Sequence, residues 1–269
     1  MKKWSDFYRQ MVDRNIGVIS AEEQNQLKKT CVAIAGCGGM GGLSAEQLIR
    51  LGVGHVKIAD FDNFETHNLS RQCGSTSRNV GQQKASVLAR YFKEINPEAC
   101  IEVFPRGVQL ENAEEFVDGA DVVIDGIDYT AFYHAVMLHR AARKKNLCVI
   151  SPNAVGFGAS ILVFGPKTAS IEKYVGLPEN LSRQEIEEFK IPAGKFAPYM
   201  PSYVTSEMAG KVVAGQINIP NIIMPQHLGT SIAVSEAVML MLKRVEAPKG
   251  PHPRIFVIDL QDRKTEITG

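Results

Sequence analysis

Apolar and polar positions follow two rhythms along the chain. Between residues 31 and 150, short continuous apolar runs are followed by longer segments whose apolar residues recur every three or four positions. The runs predict buried β-strands and the longer segments predict α-helices that pack on a sheet. Because strand and helix alternate, we expect an α/β fold with a Rossmann-like, doubly wound and mainly parallel sheet. The predicted strands are 32–35, 56–59, 101–104, 122–124 and 148–150, and the predicted helices are 43–51, 80–95 and 131–144.

The beginning of the chain has a different pattern. Ser20 and Glu23 stand at the spacing of a capping box, which predicts a helix over residues 21–28. Residues 1–30 are therefore interpreted as an N-terminal helical arm that precedes the first strand.

The alternation also stops after residue 150. Residues 165–225 are rich in Pro and Gly and predict a long segment that crosses the molecule, and such long connections often carry function. The last two strands are expected to form an antiparallel C-terminal extension of the sheet. The remaining predicted elements are a strand at 160–164, a short helix that begins at the capping-box residue Ser182, a helix at 228–244 and strands at 255–258 and 265–267.

Composition narrows the class of protein. The chain has 269 residues, of which 45% are hydrophobic and 22% charged, as in ordinary soluble globular proteins. Thirty Lys and Arg against 29 Asp and Glu give a formal net charge of +1. The chain therefore has no overall electrostatic field that would attract a polyanion such as duplex nucleic acid. The apolar stretch at 228–242 is shorter than the roughly 20 residues that span a bilayer. Residues 1–28 contain no apolar leader, and we expect a cytoplasmic protein without membrane contact.

A glycine-rich run lies between the first predicted strand and the first predicted helix. In this position, Gly36, Gly38 and Gly41 form a GxGxxG pattern, whose backbone amides and helix dipole can bind phosphate. Asp60 follows the second predicted strand, where a carboxylate can accept hydrogen bonds from a ribose. The alternative is a tight turn needed only for packing, with an ordinary surface Asp. The order of these features favours a nucleotide site and leaves the nucleotide open.

Further polar residues could complete such a site. Asn68, Arg71 and Gln72 would share one face if residues 68–72 made a helical turn, and that face would suit a polyphosphate. A solvated polar turn is the alternative. Lys84 falls on the apolar stripe of the predicted 80–95 helix, so it either extends to solvent along that stripe or points over the sheet toward a phosphate.

Two carboxylates follow the predicted strand at 122–124. Asp125 and Asp128 would lie at the carboxyl edge of the sheet, where open parallel sheets bind ligands. Either carboxylate could hold Mg²⁺. The alternative for Asp128 is to cap the helix that begins near Thr130.

Taken together, these residues resemble the ThiF, MoeB and HesA group of adenylating enzymes, which also includes the ubiquitin-activating enzymes. The likeness covers about residues 10–165 and, more loosely, 225–268. Seven elements in order and at family spacing carry it. They are Asp13-Arg14-Asn15, GCGGMGG at 36–42, Gly52-Val53-Gly54 with Asp60-Phe61-Asp62, Asn68-Leu69-Ser70-Arg71-Gln72, Val80-Gly81-Gln82-Gln83-Lys84, Ile95-Asn96-Pro97 and Asp125-Gly126-Ile127-Asp128.

The resemblance implies ATP-dependent activation of a carboxylate as an acyl adenylate, with release of pyrophosphate. It also implies that Asp60 binds the ribose, that Gly39 lies against the nucleotide, and that Arg14 reaches into the site of a second subunit, as in a homodimer. The implied domains are the arm (1–30) and one ThiF-type adenylating domain (31–269), with a nucleotide-binding half (31–164), a crossing segment (165–225) and a C-terminal helix and strands (226–269). The implied cofactor-binding residues are Gly36, Gly38, Gly39, Gly41, Asp60, Asn68 and Gln72, and the implied catalytic residues are Arg14, Arg71, Lys84 and Asp128, the last also as the Mg²⁺ ligand.

Cysteine usage departs from many family members. The five cysteines form no CxxC pair, so we expect no zinc. Residues 165–225 contain no cysteine, so an enzyme thioester is not expected there; Cys73 is the one thiol considered as a nucleophile. Tyr129 stands where sulfur-carrier-activating members usually have Asn.

The acyl substrate stays open. It could be the C-terminal glycine of a small ubiquitin-like sulfur-carrier protein, the threonylcarbamoyl carboxylate on a tRNA as in the dehydratase branch, or a peptide or small acid. A NAD-dependent oxidoreductase would explain the glycine loop and Asp60 but would leave Asn68, Arg71, Lys84 and Asp128 without roles. A non-catalytic partner subunit of a related enzyme is the third alternative.

Overall fold

One mixed sheet organises the chain. The structure, a computed structural model, describes residues 4–178, 181–213, 216–217 and 219–269. Residues 1–3 of the predicted arm and 179–180, 214–215 and 218 of the predicted crossing segment lie outside the described residues. The strands are β1 (Cys31–Ala35), β2 (His55–Ala59), β3 (Cys100–Phe104), β4 (Val122–Asp125), β5 (Val149–Val155), β6 (Gly158–Phe164), β7 (Arg254–Asp259) and β8 (Lys264–Thr268).

The strand order confirms the predicted fold class. Within the described residues, eight strands are ordered β3-β2-β1-β4-β5-β6-β7-β8. The pairs from β3 to β5 are parallel, and those from β5 to β8 are antiparallel. The chain therefore leaves β1 toward one edge and returns through β4 on the other side, which is the topological switch point where doubly wound sheets bind ligands.

Helices cover both faces of the sheet. The described helices are α1 (Asp6–Met11), α2 (Ala21–Leu27), α3 (Gly39–Leu51), α4 (Lys84–Ile95), α5 (Ala113–Val117), α6 (Phe132–Lys144), α7 (Ile171–Val175), α8 (Arg183–Glu188), α9 (Ala193–Phe196), α10 (Ser206–Val213) and α11 (Ile223–Met241). One apolar core joins α3, α4 and α11 to the sheet, and a second core joins α5, α6, α7 and α8 to the opposite face.

Capping explains several helix boundaries. Both predicted capping boxes are present, at Ser20 before α2 and at Ser182 before α8. The prediction of a helix from residue 80 was wrong at its start: α4 begins at Lys84, because the Gln83 side chain accepts a hydrogen bond from the Ser86 amide at 2.7 Å and caps the helix there. α11 begins at Ile223, five residues before the predicted start at residue 228. The helix can include Pro225 because proline is tolerated in a first helical turn.

The N-terminal segment packs on the C-terminal end of α3. The buried Tyr8 hydroxyl donates to the Gly52 carbonyl oxygen at 2.6 Å, and Gln24 donates to the Leu51 carbonyl oxygen at 2.8 Å. These bonds satisfy carbonyl groups that the end of a helix leaves free. The division into an arm (1–30) and one domain (31–269) stays a prediction.

Candidate functional site

A cleft of about 470 Å³ opens at the carboxyl ends of β1, β2 and β4. Most of the residues that the sequence predicted for a nucleotide site meet there. Gly41, Asn68 and Arg14 do not line it. The predicted residues that line the cleft are Gly36, Gly38, Gly39, Asp60, Arg71, Gln72, Lys84 and Asp128.

The glycine loop turns the chain sharply from β1 into α3. Gly36 has φ +83°, and a Cβ on it would lie 2.3 Å from the Gly126 carbonyl oxygen, so both its conformation and its neighbour require glycine. A Cβ on Gly41 would lie 1.8 Å from the Gly36 carbonyl oxygen, which gives Gly41 a packing role behind the loop. The 13-residue α3 begins at Gly39, and no side chain in the described part of the chain caps it. Its first amides can therefore donate to an anion in the cleft.

Asp60 fixes the floor of the cleft beside this loop. It is only 8% exposed, and its two carboxylate oxygens accept hydrogen bonds from the amides of Cys37 at 2.6 Å and Asp62 at 2.7 Å. Burial raises the pKa of Asp60, and the backbone hydrogen bond from Cys37 opposes that rise. Each carboxylate oxygen retains a further acceptor position for a ribose hydroxyl.

Lys84 is held inside the cleft. Its ammonium lies 3.0 Å from Asp62 Oδ2, and its side chain is buried while that of Asp62 is half exposed. Lys84 is the first residue of α4 and shares the buried face of that helix with Val87 and Leu88, so the predicted stripe begins at Lys84 and not at Val80, and the alternative of a lysine extending to solvent is wrong. A buried ammonium with one carboxylate partner is a fixed positive charge next to the glycine loop.

The 66–72 segment is a 3₁₀ helix followed by a turn. The helix, Thr66–Ser70, ends before Arg71, whose φ is −157°, so the predicted single helical face of Asn68, Arg71 and Gln72 does not form. Asn68 is buried and its Oδ1 accepts from the Glu65 amide at 2.9 Å, so it holds the turn. Arg71 and Gln72 reach the cleft, and Gln72 Oε1 is buried without a hydrogen-bond partner in the described chain.

The two carboxylates after β4 differ in their partners. The buried Asp125 binds His139 Nε2 at 3.0 Å and accepts from the Ile127 amide at 3.1 Å, so it shapes the turn. Asp128 is exposed and caps a short 3₁₀ helix through Oδ1, which accepts from the Thr130 amide at 2.9 Å and the Thr130 hydroxyl at 2.8 Å. The capping interpretation of Asp128 therefore holds, and its Oδ2 has no hydrogen-bond partner among the described residues.

The opposite side of the cleft carries residues that the sequence did not indicate. Gln226, in the first turn of α11, is 2% exposed, and its Oε1 would lie 1.8 Å from a Cβ placed on Gly39. The buried oxygens Gln226 Oε1 and Asn221 Oδ1 have no hydrogen-bond partner within the part of the chain that the structure describes. We call Asn221 and Gln226 the α11 wall, and Gly36–Gly39 with Asp60 and Lys84 the loop wall. A helix start at Ile223 would have placed Gln226 in the first turn of α11, but the sequence predicted a start at residue 228.

A family comparison identifies the type of domain. A model of the ThiF family matches residues 12–259. The chain belongs to the ThiF family. The resemblance noted in the sequence is thereby confirmed.

Named relatives of this ThiF-family chain have more than one activity. The sulfur carrier protein adenylyltransferase of Thermus thermophilus is 34% identical over 122 residues, which are 45% of this chain and 44% of that protein. The tRNA threonylcarbamoyladenosine dehydratase of Bacillus subtilis (strain 168) is 33% identical over 139 residues, 51% of this chain and 54% of the other. The chain spans about half the length of these curated relatives.

A solved structure supports the fold of the ThiF-family chain. The crystal structure of E. coli MccB with succinimide has a TM-score of 0.72 to it at 18% identity, covering 98% of this chain and 73% of MccB. At this identity the likeness concerns the fold alone. None of the described helices has both the length and the apolar character needed to cross a membrane.

The thiols near the cleft are poor nucleophiles. Cys73 is buried, its Sγ donates to Glu46 Oε2 at 2.9 Å, and burial raises its pKa, as it does for Cys37 in the glycine loop. A buried thiol kept protonated cannot attack an acyl group. Arg14 is exposed on a 3₁₀ turn outside the cleft, and its side chain makes no hydrogen bond or ion pair with any residue that the structure describes.

Proposed function

We propose that this ThiF-family chain is an ATP-dependent adenylyltransferase, a nucleotidyltransferase that activates a carboxylate as an acyl adenylate and releases pyrophosphate. The observation that supports this most directly is the shared cleft, in which the start of α3, the Asp60 carboxylate and the cations Arg71 and Lys84 surround one space. A nicotinamide cofactor would use the first two features and leave the cations without a role.

The cleft suits the charge changes of this reaction. The substrate carboxylate attacks the α-phosphorus, the bond to the bridging oxygen breaks, and pyrophosphate leaves with the negative charge. The α3 amides, Arg71 and Lys84 would stabilise charge on the phosphate oxygens, while Asp60 would hold the ribose. Because Lys84 is already fixed by Asp62, little reorganisation would accompany the reaction.

Asp128 fits the role of a Mg²⁺ ligand. Its exposed Oδ2 has no hydrogen-bond partner among the described residues and lies on a residue that lines the cleft, and Mg²⁺ prefers carboxylate oxygens. Asp125 fits less well, since His139 and the Ile127 amide already occupy it. When bound, Mg²⁺ would supply positive charge beside the phosphates.

For the acyl substrate, we favour the C-terminal glycine of a small ubiquitin-like sulfur-carrier protein. The name of the Thermus thermophilus relative supports this choice. The second candidate is a threonylcarbamoyl carboxylate on tRNA, which the name of the Bacillus subtilis relative supports. The net charge of +1 provides no overall attraction for a tRNA, although a local basic surface could still bind one.

Isotope exchange between pyrophosphate and ATP tests the activity directly. We expect labelled pyrophosphate to enter ATP only when the correct carboxylate is present, and each candidate substrate can be supplied in turn. Thermal shifts with ATP and NAD in parallel provide the control, because a ligand that binds the native state raises its stability. Stabilisation by NAD alone would contradict the proposal, and ATP binding without exchange on any substrate would indicate a non-catalytic partner subunit.

We further propose that the protein is a cytoplasmic homodimer in which Arg14 completes the site of the neighbouring subunit. Arg14 is exposed outside its own cleft and has no side-chain partner among the described residues, which supports this arrangement. Mixing Arg14→Ala with Arg71→Ala protomers should restore about a quarter of the wild-type activity, since half of the random dimers are mixed and each has one complete site. No recovery after verified subunit exchange would contradict a shared site.

A further inference from the structure

Three side chains with metal-binding groups meet near the amino-terminal ends of β2 and β3, at the end of the sheet opposite the cleft. His55 begins β2 and pairs in register with Cys100, which begins the edge strand β3. Glu102 lies two residues further along β3, and side chains two apart on a strand point to the same face. One imidazole, one thiol and one carboxylate therefore share one surface of two neighbouring strands.

The geometry brings their donor atoms within reach of a single ion. One ligand atom from each of His55, Cys100 and Glu102 lies within 4.8 Å of the other two. His55 Nε2 is 2.6 Å from Glu102 Oε1, yet this buried nitrogen has no hydrogen-bond partner of acceptable geometry in the described chain. The side chains of His55 and Glu102 are 28% and 43% exposed, so an ion in solution can reach these donor atoms.

We propose that His55, Cys100 and Glu102 bind a divalent metal ion of the zinc type. Imidazole nitrogen, thiolate sulfur and carboxylate oxygen are the three donors that Zn²⁺ takes in proteins, and three protein ligands leave one position for water. On binding, the Cys100 thiol gives its proton to solvent and the thiolate coordinates the ion. The set contains no CxxC pair, and the cysteine spacing considered in the sequence could not reveal it.

Lys57 is the charged neighbour of this site. Its ammonium lies 3.7 Å from Glu102 Oε2 and donates to the Asp118 carbonyl oxygen at 2.8 Å. A metal ion would bind the Glu102 carboxylate in place of its contacts with His55 and Lys57, while the Asp118 carbonyl oxygen would keep the Lys57 ammonium in place. Removing this cation should therefore strengthen metal binding, because two positive charges near one carboxylate repel each other.

A bound ion would join β2 to the edge strand β3. The same two strands meet at their other ends, where the Asp60 amide donates to the Phe104 carbonyl oxygen at 3.2 Å. Metal binding would thus stabilise the half of the sheet that carries Asp60, and it requires no nucleotide. The site is independent of the proposed adenylation.

Titration of the full chain with Co²⁺, followed by competition with Zn²⁺, tests the site. We expect one equivalent of Co²⁺ to produce the near-ultraviolet absorption of a thiolate–cobalt bond, and Zn²⁺ to remove it. Cys100→Ser should abolish this absorption, whereas Cys148→Ser, which changes a buried thiol just before β5, should retain it. Glu102→Gln should weaken Zn²⁺ binding by about 100-fold or more, because losing a residue that only hydrogen-bonds to a metal ligand already costs about 10–100-fold.

Two further results would decide the matter. Lys57→Met should bind Zn²⁺ more tightly than the wild type, and weaker binding in a variant whose melting curve remains cooperative would overturn the assignment. An absorption band that is absent from the wild type, or that survives Cys100→Ser, would do the same. Because the readout is metal binding without ATP, a failure of adenylation would not imitate either result.

Discussion

The loop wall and the α11 wall of the cleft differ in how far their polar groups are satisfied within the chain. On the loop wall, Asp60 accepts two backbone amides and Lys84 is paired with Asp62. On the α11 wall, the buried amide oxygens of Gln226 and Asn221 have no partners within the described residues. Groups that are already held in place, as on the loop wall, can stabilise charge that develops in a reaction without having to reorganise. Buried oxygens without partners, as on the α11 wall, gain a hydrogen bond only when a ligand binds.

This difference suggests separate roles for the two walls. The loop wall has its charges fixed before any ligand binds, as a site for an anionic nucleotide requires. The α11 wall presents neutral carboxamides, which can donate or accept and would suit the polar atoms next to an acyl group. Variants on each wall should therefore affect different measurements.

The largest expected effect is on the charged cleft residues for which we propose a role at the phosphates. Arg71→Ala and Asp128→Asn should each lower substrate-dependent pyrophosphate exchange by about 10²-fold or more, in line with the loss of one preorganised contact. Asn remains a good helix cap, so Asp128→Asn should leave the unfolding midpoint almost unchanged. Exchange at the wild-type rate in both variants would remove them from the phosphoryl-transfer step.

The next effect concerns nucleotide binding at Asp60. Asp60→Ala should reduce the thermal stabilisation that ATP gives, because hydrogen bonds to the ribose worth about 1–3 kcal/mol are lost. The variant should also be less stable without ATP, since the amides of Cys37 and Asp62 lose their acceptor. Melting curves with and without ATP separate the two losses. Equal ATP affinity in wild type and variant would exclude Asp60 from the site.

The pKa of Asp60 adds a pH dependence to the same residue. Because burial raises this pKa above its ordinary value of 3.8, the folded chain binds the proton more readily than the unfolded chain. The contribution of Asp60 to folding is therefore fully present below pH 3.8 and is lost as the pH rises through the raised pKa. Asp60→Asn, which cannot titrate, should remove that part of the pH dependence of the unfolding free energy.

Much of the loop wall could be predicted from the sequence, because its residues are fixed by local order along the chain. The glycine loop follows β1, Asp60 follows β2, and both strand ends must meet at the same edge of a parallel sheet. The α11 wall could not be predicted, since Gln226 reaches Gly39 across almost 190 positions of sequence and only the packing of α11 brings them together. Lys84 was assigned to the cleft correctly but from a helix start that the Gln83 cap contradicts.

A smaller effect should show the contact between the two walls. A Cβ on Gly39 would lie 1.8 Å from Gln226 Oε1, the far end of a flexible side chain that must shift, so Gly39→Ala should cost about 1 kcal/mol of unfolding free energy, the lower end of the overpacking range. In a Gln226→Ala background the same change should be neutral or stabilising, because Ala restricts the unfolded chain more than Gly does. Denaturant unfolding of the four proteins measures the coupling, and Gly210→Ala, whose added Cβ would meet nothing within 4 Å among the residues that the structure describes, is the control. An equal cost in both backgrounds would place the clash elsewhere.

The smallest effect is expected at Cys73, beside the loop wall. Burial raises the pKa of this thiol and its hydrogen bond to Glu46 holds the proton, so it is a poor nucleophile at neutral pH. The crossing segment 165–225 contains no cysteine to replace it. Cys73→Ala should therefore form the adenylate and transfer the acyl group to an added nucleophile such as hydroxylamine at wild-type rates. A variant that forms the adenylate normally and cannot pass it on to the native acceptor, together with a thiol-sensitive adduct in the wild type, would show that the acyl group does pass through sulfur.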